Sequence, residues 1–212
     1  ALPPDGRAVL ADEPGLRRVA GRSKAAVTWV GRGPDCDLRA TDVRWSQGTL
    51  RFRLGSVPFC LPVWGRHHLN SALLAAAVGR RMGFDWEEIV DALRRFVPLS
   101  MRCELTRAGG AAIINDAYNA SPTAMRAALE LLRDFQAPGR RILVCGDMAE
   151  LGHESAALHR RLGDQAVTLG EVDVLIACGD FAPHVVIGAR AAGMPSHHSI
   201  ACRALEETVA AL

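Results

Sequence analysis

The strongest constraint on the fold is a pattern in the second half of the chain, where continuous apolar strands alternate with amphipathic helices. Residues 141–145 and 172–177 are short apolar runs, and helical periodicity follows each of them, over about 155–169 and about 182–192. Such strands are typical of a parallel sheet with helices on both faces, because both sides of each strand are then buried. The pattern predicts a Rossmann-like, mostly parallel α/β domain.

Three further elements are predicted around this sheet. Residues 103–107 and 111–115 flank the pair Gly109-Gly110, which indicates a β-hairpin. Ser121-Pro122 has the residue types that cap and open a helix, here running to about residue 135, and a last helix starts near Arg203.

The first third of the chain is predicted to be rich in β-strands. Residues 27–30 form a short strand, and the alternating segments 42–45 and 49–54 are separated by Ser46-Gln47-Gly48, a hairpin signal. Residues 57–63 contain two prolines, which favour an edge strand or an irregular segment.

Two helices are predicted after these strands, and a domain boundary is predicted after the helices. Residues 70–82 have helical spacing and end at Gly83, where a C-terminal cap is expected. Asp85 with Glu88 forms the pattern of a capping box that opens a helix over 86–96. The periodicity restarts after residues 97–100, so we expect two domains, residues 1–98 and 99–212.

Composition excludes several classes of function. Lys plus Arg number 25 against 23 Asp plus Glu, and a net charge of +2 gives no sign of a nucleic-acid surface. Lys24 is the only lysine, and its neighbours Ser23 and Ala25 do not match the G-K-[ST] step of a phosphate-binding loop.

The cysteines and the apolar runs indicate a reducing compartment. The six cysteines contain no C-x-x-C pair and no Cys/His spacing of a zinc site, so buried thiols are expected, among them Cys145 and Cys178. Apolar stretches stay shorter than a membrane span, and the N-terminus does not resemble a secretory signal. A cytoplasmic protein with no membrane partner is the expectation.

Ligands of a parallel sheet collect at the carboxyl ends of its strands, so the residues after each strand are candidates. Residues 115–122 form a polar loop that either faces a ligand or serves only as a helix entry. Asp147 either holds a ribose hydroxyl or a magnesium ion, or caps a helix; for Asp180 the cap is favoured. Neither glycine cluster matches G-x-G-x-x-G, so a dinucleotide is not indicated.

Other candidates have simple structural alternatives. Residues 65–70 precede a helix whose free amides could bind an anion or a base, although Asn70 could equally be an N-cap. His67 and His68 are adjacent, and in an extended chain their rings would point to opposite sides, so they are not expected to form a metal pair. Arg102 could clamp a phosphate or be solvated. The remaining histidines are interpreted as surface or helix residues: His153, His159, His184, His197 and His198.

Several motifs together resemble the Mur ligase family. The most specific are Asp116-Ala117-Tyr118-Asn119-Ala120-Ser121-Pro122 and Gly146-Asp147-Met148-Ala149-Glu150-Leu151-Gly152, the latter with His159 downstream. Residues 65–73 resemble the family's G-x-H-N segment, residues 101–104 its arginine at a domain junction, and residues 2–6 a stretch of its central domain. His68 and Ser121 depart from the family pattern, since each stands where asparagine is usual.

The resemblance implies the end of a central ATPase domain in residues 1–98, and a carboxyl-terminal Rossmann-like domain in residues 99–212. It implies ATP and Mg²⁺ as cofactors and amide formation through an acyl phosphate. The implied substrates are UDP-N-acetylmuramoyl-tripeptide and D-alanyl-D-alanine. A monomer is expected.

The resemblance also assigns roles to residues. Arg102 would contact the ATP phosphates, Asp116 the ribose, and His67 with Asn70 the adenine. Tyr118, Asn119 and Pro122 would shape the loop that faces the peptide substrate, whereas Asp147 and Glu150 are interpreted as structural.

No residue of this chain is implied to be catalytic or a metal ligand, because the family's phosphate loop, magnesium ligands and carbamylated lysine would precede Ala1. The final strand and helix of the domain would follow Leu212. We therefore expect a fragment that is inactive alone. The alternatives are another ligase of the superfamily, such as the tripeptide-forming Mur ligase or a folylpolyglutamate synthase, and a non-catalytic binding module.

Overall fold

A computed structural model describes residues 2–3, 5–22 and 24–211. The chain divides into two compact units, Ala1–Pro98 and Leu99–Leu212. Each unit combines sheet and helices, so the predicted α/β class is confirmed.

Unit 1 is a five-stranded mixed sheet with helices. Its elements in chain order are β1 (Arg7–Ala11), α1 (Pro14–Ala20), β2 (Ala26–Gly31), β3 (Leu38–Ser46), β4 (Thr49–Leu54), β5 (Val57–Leu61), α2 (His68–Arg81) and α3 (Trp86–Arg94). The strands lie in the order β1-β2-β3-β4-β5; β1, β2 and β3 pair in parallel, and β3, β4 and β5 are antiparallel.

Alternation along β4 explains why this sheet has one buried face. Leu50, Phe52 and Leu54 are buried, while Arg51 between them is exposed. The Phe52 and Phe59 rings stack with centroids 5.0 Å apart, and the apolar face of α2 packs on the same core. The prolines correctly predicted an edge position for β5.

The helix signals of unit 1 are confirmed with small shifts. The Asp85 side chain accepts the Glu88 N–H at 2.9 Å and the Glu88 side chain accepts the Asp85 N–H at 2.8 Å, as a capping box requires. β1 and α1 were not predicted, because residues 7–20 are short segments without a long periodicity.

Unit 2 contains a separate hairpin and a parallel sheet. Its elements are β6 (Glu104–Ala108), β7 (Ala111–Asn115), α4 (Pro122–Asp134), β8 (Ile142–Cys145), α5 (Ser155–Thr168), β9 (Val174–Cys178), α6 (Ala182–Ala191), β10 (Ser199–Cys202) and α7 (Leu205–Ala211). The parallel strands lie in the order β10-β9-β8, and β6 pairs only with β7 among the described residues.

Helices α5 and α6 of unit 2 approach each other at two glycines. A Cβ on Gly163 would overlap the carbonyl oxygen of Val185, and a Cβ on Gly188 would overlap that of Arg160. The short four-residue strand β10 was not predicted. Cys145 is buried as expected, whereas Cys178 is only half-buried.

Candidate functional site

The polar loop between β7 and α4 is built by local turn chemistry. The Asn119 Oδ1 atom accepts the Ala120 N–H at 2.8 Å, and the Asn115 Oδ1 atom accepts the Ala117 N–H at 3.3 Å. Ser121 has an extended backbone and its hydroxyl accepts the Ala124 N–H at 3.3 Å, so it caps α4. Pro122 opens the helix, where its lack of an N–H costs nothing.

A second segment, residues 100–104, is tied to this loop by backbone and carboxylate hydrogen bonds. The Tyr118 N–H donates to the Met101 carbonyl at 3.2 Å, and the Cys103 N–H donates to the Asp116 Oδ1 atom at 3.1 Å. Met101 and Cys103 have left-handed φ angles of 61° and 52°. Such angles cost about 1 kcal/mol or more in a non-glycine residue, so these hydrogen bonds hold a strained turn.

Carboxylates stabilise both ends of the turn. The Glu104 Oε2 atom accepts the Ser100 hydroxyl at 2.8 Å and the Met101 N–H at 3.1 Å, and these bonds lower the pKa of Glu104. Burial, with the Asp116 carboxylate beside it, raises the pKa of the Cys103 thiol to about 12. Cys103 is therefore a neutral packing group at physiological pH.

The turn presents Arg102 on an aromatic platform. The guanidinium carbon of Arg102 lies 4.0 Å from the centroid of the Tyr118 ring, and both side chains are exposed, Tyr118 to 61%. Stacking occupies one face of the guanidinium and leaves its in-plane N–H donors available. The structure thus brings Arg102, Asp116 and Tyr118 together, and Asn119 and Pro122 follow in the same loop.

A second cluster joins the loops after β8 and β9. The Asp147 carboxylate accepts the Asp180 N–H at 2.8 Å and the Phe181 N–H at 3.1 Å, at the start of α6. The expectation that Asp180 caps this helix is wrong, because the side chain of Asp147 fills that role. Gly179, with φ of +122°, is required here, since a Cβ would lie 2.6 Å from the Asp147 carboxyl carbon.

His159 supports this cluster from α5. It is fully buried, its Nε2 atom accepts the Met148 N–H at 2.9 Å, and its Nδ1 atom lies 2.7 Å from the Ser155 carbonyl oxygen. These contacts require the proton on Nδ1. The ring also stacks on Phe181 with centroids 4.7 Å apart. Of the two alternatives for His159, a surface or a helix residue, the helix position is confirmed and the surface position is wrong: the ring is buried and connects α5 to the loop after β8.

In unit 1, the start of α2 carries the other predicted residues. The helix begins at His68, so Asn70 is its third residue and not its N-cap. His67 and Asn70 are both exposed in this first turn. The His67 and His68 rings lie 4.2 Å apart, so the expectation of opposite orientations is wrong, because the backbone is helical here.

The segment 101–212, more than half of the chain, matches the model of the family described as "Mur ligase, glutamate ligase domain". This chain belongs to the Mur ligase family. The UDP-N-acetylmuramoyl-tripeptide--D-alanyl-D-alanine ligase of Bacillus subtilis is 34% identical over 70% of this chain and 35% of its own length.

Solved structures of the family have a fold similar to that of this chain. MurF from Acinetobacter baumannii superposes with a TM-score of 0.84 and 27% identity, over 98% of this chain and 45% of that one. MurF from Thermotoga maritima in complex with ADP, at 24% identity, shares the fold with a TM-score of 0.76 over 97% of this chain and 46% of that one. The chain therefore spans about a third to a half of the length of the Mur ligases it matches. Within the described residues, every helix is too short or too polar to cross a membrane.

Proposed function

We propose that this chain is part of an ATP-dependent ligase that joins D-alanyl-D-alanine to UDP-N-acetylmuramoyl-tripeptide in the synthesis of peptidoglycan precursors. Family membership and the similarity to ligases carrying that name support the assignment. In the domain assignment that goes with it, residues 1–98 end the central ATPase domain and residues 99–212 belong to the carboxyl-terminal domain. The enzyme works as a cytoplasmic monomer.

The observation that carries the proposal is the Arg102–Tyr118 stack. In the proposed reaction, the tripeptide carboxylate attacks the γ-phosphorus of ATP and ADP leaves. The amine of D-alanyl-D-alanine then attacks the acyl carbon, and phosphate leaves. Negative charge shifts among phosphate oxygens in the first step, and a preorganised guanidinium stabilises it without reorganising. The Tyr118 ring, whose centroid lies 4.0 Å from the guanidinium carbon of Arg102, supports this role because stacking restricts the orientation of the guanidinium.

The neighbouring residues then take supporting roles. One oxygen of Asp116 accepts the Cys103 N–H, and we assign the other to a ribose hydroxyl. Tyr118, Asn119 and Pro122 fix the shape of the loop that faces the peptide substrate. In unit 1, His67 and Asn70 present polar groups at a helix start, where the edge of adenine would bind.

Magnesium would neutralise phosphate charge in this reaction. Both oxygens of Asp147 accept backbone N–H donors, Glu104 accepts the Ser100 hydroxyl and the Met101 N–H, and the second oxygen of Asp116 is assigned above to a ribose hydroxyl. We therefore place no magnesium ligand among them. Lys24 lies outside any phosphate-loop context, so the 212 residues alone are proposed to be inactive.

The proposal is tested by product formation. A gene product that includes a lysine-bearing phosphate loop is mixed with magnesium-ATP, UDP-N-acetylmuramoyl-tripeptide and one amine, and the products are identified by mass spectrometry. D-alanyl-D-alanine is expected to be incorporated. If diaminopimelate or glutamate is incorporated instead, each tested with the acceptor substrate of its own ligase, the protein is another ligase of the superfamily. If no amine gives an ATP-dependent product, the result favours a binding module. Steady turnover by the 212-residue chain would contradict its proposed inactivity.

A further inference from the structure

The loop after β8, residues 146–152, has one buried residue, Met148. Its side chain is 2% exposed, whereas its neighbours Asp147 and Ala149 are exposed. The backbone N–H of Met148 donates to the Nε2 atom of the buried His159 ring at 2.9 Å. A buried N–H group without an acceptor is costly, so this hydrogen bond determines where Met148 enters the core of unit 2.

The polar loop 115–122 rests on the same apolar cluster as Met148. Ala120 in this loop and Met125 in the first turn of α4 are partly buried against the cluster to which Met148 belongs. Leu151, from the loop after β8, is partly buried there as well. Protein interiors are close-packed, so a shift of Met148 is transmitted to the residues that pack on the same cluster.

The two ends of the loop 115–122 have different supports. At its start, the Asp116 carboxylate is hydrogen-bonded to the backbone of the turn at residues 100–104. At its end, Ala120 packs on the apolar cluster. Support that comes through Met148 therefore acts on the end of the loop, whereas the Asp116 end is held separately.

We propose that His159 is a positioning residue of the ligase reaction. By accepting the Met148 N–H, it fixes the cluster on which the end of the loop 115–122 rests, and that end carries the residues assigned to the peptide substrate. The ring is fully buried and its Nδ1 atom lies 2.7 Å from the Ser155 carbonyl oxygen, so His159 acts through Met148 and not on the substrate itself. The choice of substrate rests on the proposed function, whereas the positioning of the loop does not.

Two substitutions of His159 separate its contacts. The side-chain amide of glutamine lies close to the position of the Nε2 atom, so His159→Gln keeps an acceptor for the Met148 N–H. The shorter side chain of His159→Asn can still donate to the Ser155 carbonyl but does not reach Met148. Both variants lose the stack on Phe181, so they are matched in the packing that they remove. His153→Asn, at an exposed position, is the control.

Tyr118 is the only tyrosine of the chain, so its ring reports the position of the loop without any substrate. The 212-residue chain is produced with 3-fluorotyrosine, and its single fluorine resonance is recorded by NMR for the parent and each variant. Arg102→Ala, which removes the guanidinium stacked on this ring, gives the reference for a displaced environment. His159→Asn should move or broaden the resonance by more than its line width, whereas His159→Gln and His153→Asn should leave it at the parent position. Met148→Ala keeps the N–H but removes the side chain from the cluster, so it should displace the resonance as His159→Asn does.

Kinetics of the gene product that carries the phosphate loop test the consequence for the reaction. In His159→Asn, the KM for at least one of UDP-N-acetylmuramoyl-tripeptide and D-alanyl-D-alanine should rise at least about fivefold, because the loop that faces the peptide substrate is displaced. The KM for ATP should stay within about twofold of the parent value, because the Asp116 end of the loop keeps its own support. In His159→Gln, both peptide KM values should stay close to those of the parent.

An unchanged tyrosine resonance in both His159→Asn and Met148→Ala would overturn the proposal. Equal displacement by His159→Gln and His159→Asn would overturn it as well, because the ring would then only fill the core. So would a displaced resonance together with parental KM values for both peptide substrates. Absence of ligation by the parent gene product would instead overturn the proposed function alone, because the resonance is measured without substrates.

Discussion

The Asp147 Oδ2 atom accepts a hydrogen bond from the backbone N–H of Asp180 at 2.8 Å, across a separation of 33 residues. This bond joins the loop that follows β8 to the start of α6, and its companion from Phe181 N–H uses the second carboxylate oxygen. The two loops at the carboxyl edge of the parallel sheet are therefore held by one side chain. A carboxylate at a helix N-terminus is also favoured by the helix dipole.

Replacing Asp147 with alanine should destabilise unit 2. Two backbone N–H groups would lose their acceptor, which lowers the free energy of unfolding by about 1–3 kcal/mol. Asp147→Asn should lower it less, because the amide oxygen of asparagine can still accept one of the two N–H groups. The free energy of unfolding, measured with urea, checks this. The matched control is Asp180→Ala, because the contribution of Asp180 comes from its backbone; a loss in that variant equal to that of Asp147→Ala would contradict the assignment.

His159→Ala should be more costly than a typical surface change. It removes a fully buried ring that stacks on Phe181 and accepts the Met148 N–H, so a loss of about 3 kcal/mol is expected from cavity formation and an unpaired donor. His153→Ala, at an exposed position, is the control. Thermal unfolding of both variants tests this prediction. Similar melting temperatures of His159→Ala and His153→Ala would show that the buried contacts of His159 contribute little to stability.

The close approach of α5 and α6 predicts a strong effect of one methyl group. Gly163→Ala should lower the free energy of unfolding by about 3 kcal/mol or more, because its Cβ would overlap backbone atoms of Val185 that cannot rotate away. Gly139→Ala, where a Cβ meets nothing within 4 Å, should have little effect. If Gly163→Ala were as stable as the parent chain, this would contradict the close approach of α5 and α6 at Gly163 and Val185.

Thiol reactivity should follow burial. The pKa values of Cys103 and Cys145 are both raised to about 12, chiefly by burial, so at pH 8 these thiols are almost fully protonated and should react slowly with iodoacetamide. Cys60, which is only half-buried, serves as the reference. Peptide mass spectrometry after timed labelling measures the rates. Asp116→Asn should speed labelling of Cys103, because removing the carboxylate lowers the pKa of that thiol.

Much of the fold was predictable because its signals are local. The capping box at Asp85, the Gly109-Gly110 hairpin and the Ser121-Pro122 helix entry depend on neighbours within a few residues, and all three are confirmed. β10 and β1 were missed because short strands acquire their identity from pairing with a distant strand, which composition does not reveal.

The site was predicted less completely than the fold. The sequence identified Arg102 and the loop 115–122 as candidates. The contact between Arg102 and Tyr118, however, depends on the left-handed backbone at Met101 and Cys103, and neither residue type predicts such a conformation. Likewise, the role of Asp147 depends on the proximity of β8 and β9. The spacing of Asp147 and His159 within a specific motif was the available signal for that cluster.

Removal of the Arg102 guanidinium tests the proposed function most directly. In the gene product that carries the phosphate loop, Arg102→Ala should lower kcat for D-alanyl-D-alanine ligation at least about 100-fold, because a preorganised donor to developing charge is lost. Arg107→Ala, at an exposed position on β6, should stay near the parent rate. An Arg102→Ala enzyme that folds and retains parental kcat and KM for ATP would contradict the assignment of Arg102 to the phosphates.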